Sequence, residues 1–69
     1  LDFSVINDAD FRSANLTKAS FENSDIRGAN FANCNLMKIN LKGSIFNNQT
    51  IFPENFDPLK FGAILQNGV

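Results

Sequence analysis

The strongest constraint on this chain is a spacing of five. From Ala9 to Phe46 a small residue is followed two positions later by a large apolar one, and the pair returns every five residues. The large members, or centres, are Phe11, Leu16, Phe21, Ile26, Phe31, Leu36, Leu41 and Phe46. The small members are Ala9, Ala14, Ala19, Ser24, Ala29, Cys34 and Ser44, with Ile39 as the exception. Between each pair sits Asp10, Asn15, Ser20, Asp25, Asn30, Asn35, Asn40 or Ile45. An α-helix turns about 100° per residue, so every fifth side chain would step roughly 140° and scatter around the axis. A strand alternates faces with period two, so an odd spacing would send successive centres to opposite sides. The backbone must instead recover one inward direction every five residues, by a short extended segment and a bend wound about an axis. Centre and small residue then face inward, and the other three positions face water.

The polar pairs that follow the centres agree with this: Arg12-Ser13, Thr17-Lys18, Glu22-Asn23, Arg27-Gly28 and Asn47-Asn48. The series Ala9-Asp10-Phe11-Arg12-Ser13, Ala14-Asn15-Leu16-Thr17-Lys18, Ala29-Asn30-Phe31-Ala32-Asn33 and Cys34-Asn35-Leu36-Met37-Lys38 resembles the pentapeptide-repeat family, whose pattern is Ala-Asp/Asn-Leu/Phe-X-X. The resemblance implies an all-β solenoid, a right-handed quadrilateral β-helix with four repeats to a coil. A lag of twenty then stacks Ile6 on Ile26, Phe11 on Phe31 and Leu16 on Leu36. It also stacks Lys18 on Lys38 at about one strand spacing, roughly 4.8 Å, so that pair must splay into solvent.

With 69 residues the chain holds one small domain, and Cys34 is its single cysteine. Neither an internal disulfide nor a structural zinc site is available, as His is also absent. Below about 70–80 residues a core seldom supplies more than about 3–5 kcal/mol. The hydrogen-bond ladder between coils has to provide the rest. A net charge of −1 favours neither a nucleic-acid footprint nor an acidic decoy. No apolar run approaches the roughly 20 residues of a membrane-spanning helix. The chain starts inside the repeat, with Leu1 as a centre, which suggests a fragment of a longer protein.

The expected organisation is a repeat domain over 1–51, about two and a half coils, and a cap over 52–69. The register places Phe3 and Val5 outward, and Ile45 on the side of Val5 two coils away with Asp25 between them. Together with the wall residue Arg27, these form the candidate interaction surface. Singly exposed apolar residues need no explanation, so the alternative is ordinary scatter. An open N-terminal coil presents unpaired strand edges, which calls for further repeats upstream, a lost cap, or end-to-end self-association. Ile39 needs extra room in the wall, and Cys34 reads as a small buried hydrophobe. Asn before the centre should bond nearby backbone at the corner.

Beyond Phe46 the pattern loosens, with Ile51 as a last centre. Asp57-Pro58 signals a helix start, with Leu59, Phe61, Ile64 and Leu65 as its apolar side and Gly68 as its stop. Phe52 and Phe56 would plug the core. This tail is similar to the capping tail of cyanobacterial and plastid members of the family, which implies a cytoplasmic or thylakoid-associated setting.

No catalytic constellation emerges. The usual general base, His, is missing, an inward Cys34 is a poor nucleophile, and Asp8 with Asp10 read as solvated carboxylates. Gly28, Gly43, Gly62 and Gly68 are isolated and form no phosphate loop. Arg12, Lys18, Arg27, Lys38 and Lys42 are interleaved with acids and lack an aromatic stacking platform. The glycosylation triplets Asn15-Leu16-Thr17 and Asn48-Gln49-Thr50 read as coincidence. The expected function is a non-catalytic scaffold that binds a protein partner through its walls, with no cofactor and no small-molecule substrate. Two alternatives stand beside it. Some family members mimic duplex DNA and act on topoisomerases, which calls for a long acidic rod. A small-ligand or enzymatic domain would need a pocket.

Overall fold

The period of five appears in the backbone as a bend that recurs after every centre. In the computed structural model, whose described residues are 1–67, the residue two after each centre has positive φ from Phe3 through Asp8, Ser13, Lys18, Asn23, Gly28, Asn33 and Lys38 to Gly43. The next residue's N–H donates back to the centre's carbonyl and closes a β-turn, as in Ala14 to Phe11 at 3.0 Å and Cys34 to Phe31 at 3.0 Å. The Asx residue before the centre adds a second clamp. Its side-chain oxygen accepts the N–H two positions on: Asn15 from Thr17 at 3.1 Å, Asn30 from Ala32 at 2.9 Å, Asn40 from Lys42 at 3.0 Å. The corner role expected of Asn is therefore what the structure shows.

Between bends the chain forms parallel bridges twenty residues apart: Val5 to Asp25, Asp10 to Asn30, Asn15 to Asn35, Ser20 to Asn40 and Asp25 to Ile45. Four repeats thus make one turn of a β-helix. Along each wall a bridging residue gives its N–H and its C=O to the coil before it, as Asn30 does to the Ala9 carbonyl at 2.9 Å and the Phe11 N–H at 2.8 Å. Lys18 and Lys38 stack in this register and both are exposed.

The interior is filled by side chains. Phe21, Ile26, Phe31 and Leu41 are at most 1% exposed. The Phe11 and Phe31 rings stack at 5.2 Å with planes 3° apart, and Phe31 stacks on Phe52 at 5.7 Å and 9°. Small inward positions that are polar find acceptors: Ser44 donates to the Leu41 carbonyl at 2.8 Å, and the Cys34 thiol to the Phe11 carbonyl at 2.6 Å. Ile39 is buried, and the residue stacked on its N-terminal side is the small Ala19, which leaves it room.

Two expectations at the C-terminal end need correction. The last centre is Phe52, not Ile51. Ile51 is 49% exposed, and it bridges Asn30, twenty-one positions back, because the side after Phe46 holds one extra residue. Thr50 secures this longer side. Its hydroxyl donates to the Ile26 carbonyl at 3.1 Å and accepts from the Gly28 and Asn47 N–H groups at 3.0 and 3.1 Å.

The expected capping helix is a single 3-10 turn, Pro58–Phe61, with no buried residue. Asp57 caps it, accepting from the Leu59 N–H at 3.1 Å. It stops at Gly62, whose φ of 89° suits glycine, whereas the stop expected at Gly68 lies outside the described residues. Ile64 and Leu65 are not helical. They form β2 (Ile64–Leu65), which pairs in parallel with β1 (Ile45–Phe46) and resumes the ladder. Phe56 stacks on Phe52 at 5.3 Å and Phe61 on Phe56 at 4.9 Å, so the aromatic column continues past the last coil.

Candidate interaction surface

Each wall carries one outward column built from bridging residues. The column that starts at Val5 runs through Asp25 and Ile45 to Ile64. Val5 is 75% exposed and Ile64 52%, while Ile45 is half-buried. The structure thus brings Ile45 beside Ile64, a partner the sequence reading assigned to a helix. It leaves Val5 apart from them, since Asp25 intervenes as expected. Phe3 lies elsewhere, at a corner with φ 58°, and is 75% exposed.

Asp25 is the electrostatic centre of this wall. The Arg27 Nε and Nη2 donate to its two oxygens at 2.9 and 2.6 Å, and the Asn7 amide donates at 2.8 Å. The Arg27 hydrogen bonds are the main cause that holds the Asp25 carboxyl at about 2, against an ordinary 3.8, and they raise the Arg27 guanidinium in turn. Asp10 and Arg12 repeat the motif on the next wall at 2.9 and 2.8 Å. The two motifs share a spacing, acid before the centre and Arg after it, which places both side chains on one face of a turn. Arg27 is therefore a fixed, neutralised element of the wall.

Two depressions mark the surface. A polar one of about 240 Å³ is lined by Asn7, Asp8, Arg27, Gly28, Asn47 and Gln49. Gly28 shapes it, for a Cβ there would clash with the Asp8 carboxylate oxygen. An apolar groove of about 320 Å³ lies between the wall at Leu36 and Met37 and the segment bearing Pro53, Phe56 and Phe61. Sequence reading missed this groove. The available signal was the pair Pro53 and Pro58, which have no N–H to give to a ladder. Among the described residues no group of His, Cys, Asp and Glu could hold a metal ion, and no helix is long and apolar enough to cross a membrane.

Filled interior, four-repeat turns and parallel ladders define a β-helical solenoid. The model of the pentapeptide repeats family matches residues 5–48 in 8 copies, and the chain belongs to that family. A search of curated proteins gives no match. Among solved structures, the chain is similar to the crystal structure of a pentapeptide repeat protein from Nostoc PCC 7120, with 28% identity and a TM-score of 0.47 over 96% of this chain and 75% of that one.

Proposed function

We propose that this chain is a non-catalytic scaffold whose walls bind a protein partner, on coils wound in the right-handed sense that the family resemblance implies. The observation that carries this reading is the fixed outward column Val5–Asp25–Ile45–Ile64, flanked by the Arg27 fork. Ladder and Asx clamps hold each wall residue at a set height, about one strand spacing from the next. Preorganised side chains lose little freedom on binding, which favours affinity from a modest area. A ligand-binding or enzymatic role finds less support, since Phe, Leu and Ile fill the inward positions. Topoisomerase-directed DNA mimicry finds less support too, because Asp10 and Asp25 are each paired with an Arg two residues on and form no acidic rail.

The test is cross-linking and pull-down with the immobilised chain in lysate of the source organism, alongside Arg27→Glu and Ile45→Asp. A partner captured by the parent chain and lost with either variant is the expected result. Partners recovered equally with all three proteins would refute the wall reading.

A further inference from the structure

The ladder is interrupted on two successive walls, those that end at Asn35 and Asn40. On the wall before them, the Ala29 carbonyl accepts the Ile51 N–H at 2.9 Å and the Phe31 N–H donates to the Ile51 carbonyl at 2.7 Å. The equivalent groups one repeat later are the Cys34 carbonyl and the Leu36 N–H, followed by the Lys38 N–H and the Ile39 carbonyl. None of these four takes a hydrogen bond toward a following coil among the described residues. The segment that would have supplied one turns on itself instead: the Phe56 N–H donates to the Pro53 carbonyl at 3.2 Å, and the 3-10 turn follows. The apolar groove lies along this open edge, floored by Leu36 and walled by Phe56 and Phe61, with the Glu54 carboxylate also in its lining, so an acidic group is favoured only at the lysine end beyond it. At its end Lys38 stacks beside Lys18, and neither lysine has a salt-bridge partner among the described residues.

We infer that this edge accepts an extended acidic peptide segment of another protein, added as a parallel strand. Donors and acceptors dictate the register. One peptide residue lies over Asn35, giving its N–H to the Cys34 carbonyl and its C=O to the Leu36 N–H, as Ile51 does over Asn30. The C=O two residues on meets the Lys38 N–H, in the pattern by which Lys18 donates to the Met37 carbonyl at 2.9 Å. The third residue after the first then stands beside Lys38, where a carboxylate complements the two stacked ammonium groups. Main-chain bonds supply affinity in strand addition and side-chain sites supply selectivity. The inference is independent of the wall reading, since a chain whose walls bind nothing would still present this edge.

The probe is a capped hexapeptide, Thr-Ile-Ala-Asn-Glu-Ala, with its Ile over Asn35 and its Glu beside Lys38. Amide exchange is read on the full chain by NMR. Without peptide, the Leu36 and Lys38 amides should exchange at least tenfold faster than those of Leu16 and Lys18. Millimolar peptide should slow them at least tenfold, a peptide N-methylated at Ile should not, and the Glu-to-Lys peptide should bind at least fivefold more weakly. Lys38→Glu should reverse that last preference. Leu36 and Lys38 amides already protected in the free chain, or a methylated peptide as effective as the parent, would overturn the inference. So would protection that grows with protein concentration alone, which would assign the edge to a second copy.

Discussion

Truncating Phe31 to Ala removes the ring on which the aromatic column turns. Phe31 is 1% exposed, stacked between Phe11 and Phe52, and tilted against Phe21 at 6.1 Å. A buried Phe removes about 150–250 Å² from water, worth about 4–6 kcal/mol at about 25 cal/mol per Å². The Ala methyl retains a part of this, and the lost ring pairs add about 0.5–1.5 kcal/mol each. About 4 kcal/mol is the expected loss, within the usual range of about 3–5 kcal/mol for buried Phe to Ala. A core of this size supplies about 3–5 kcal/mol in all, so Phe31→Ala should be unfolded or nearly so at 25 °C. Phe11→Ala is the internal control. Its ring is only half-buried and lies at the edge of the column, so about half the loss is expected. Phe31→Leu keeps an apolar centre and should cost less than about 1.5 kcal/mol. Far-UV circular dichroism during urea titration reads all three, with trimethylamine oxide added to fold the weakest. Phe31→Ala that stays folded with a loss below about 1 kcal/mol, or no worse than Phe11→Ala, would refute the buried column and the coil register behind it.

Acid should weaken the fold in a defined window. Asp10 and Asp25 have folded-state values of about 2 against an ordinary 3.8, so their stabilisation is complete above about pH 4 and lost as pH falls toward 2. Thermal melts at pH 5, 4, 3 and 2 should show a falling Tm, and a double Asp10→Asn, Asp25→Asn variant should flatten that fall. At the corners, Gly28→Ala should destabilise by about 1–2 kcal/mol through its φ of 75° and the crowded Asp8 carboxylate, whereas Lys38→Gly, at φ 59°, should gain up to about 1 kcal/mol; chemical denaturation measures both. Thr50→Val strips the hydroxyl from three partners; the Gly28 N–H keeps the Asn47 Oδ1 at 3.1 Å, but the Asn47 N–H loses its acceptor, a loss of about 1–3 kcal/mol by urea titration. Thr50→Ser, which keeps the hydroxyl, should recover most of it.

The repeat walls were legible because a spacing of five admits so few backbones. Once Phe11, Leu16, Phe21 and Ile26 must share an inside, the bend after each centre follows, and so does the stacking of Phe11 on Phe31. The C-terminal end was less legible because its signals compete. Asp57-Pro58 does begin a helix, but Gly62 at φ 89° ends it after one turn. Ile64 and Leu65 then answer to a stronger demand, the open edge of β1, and the ladder takes them. Ile51 and Phe52 are adjacent apolar residues, and five-residue counting alone selects the wrong one. The burial of Thr50, two before Phe52, and the bridge from Ile51 to Asn30 reveal that the longer side has moved the centre by one. The groove escaped five-residue counting for a related reason, since it arises where the expected ladder is missing, and Pro53 and Pro58 are its one sequence signal.

The corners also decide how the candidate surface should be weighed. Positive φ suits Gly, Asn and Asp, and Asp8, Asn23, Gly28, Asn33 and Gly43 meet that preference. Lys18, Lys38 and Phe3 do not, yet hold φ of 63°, 59° and 58° because the ladder on either side of each corner leaves the chain no other path. Exposure of Phe3 is then a consequence of its corner, and any residue placed there would face water. Ile45 and Ile64 differ, for they occupy wall positions where Asp10, Asn15 and Asn40 show that polar residues serve equally well. Apolar residues at such positions have no structural need behind them, so the column of Val5, Ile45 and Ile64, rather than Phe3, is where a partner of the wall would leave its mark.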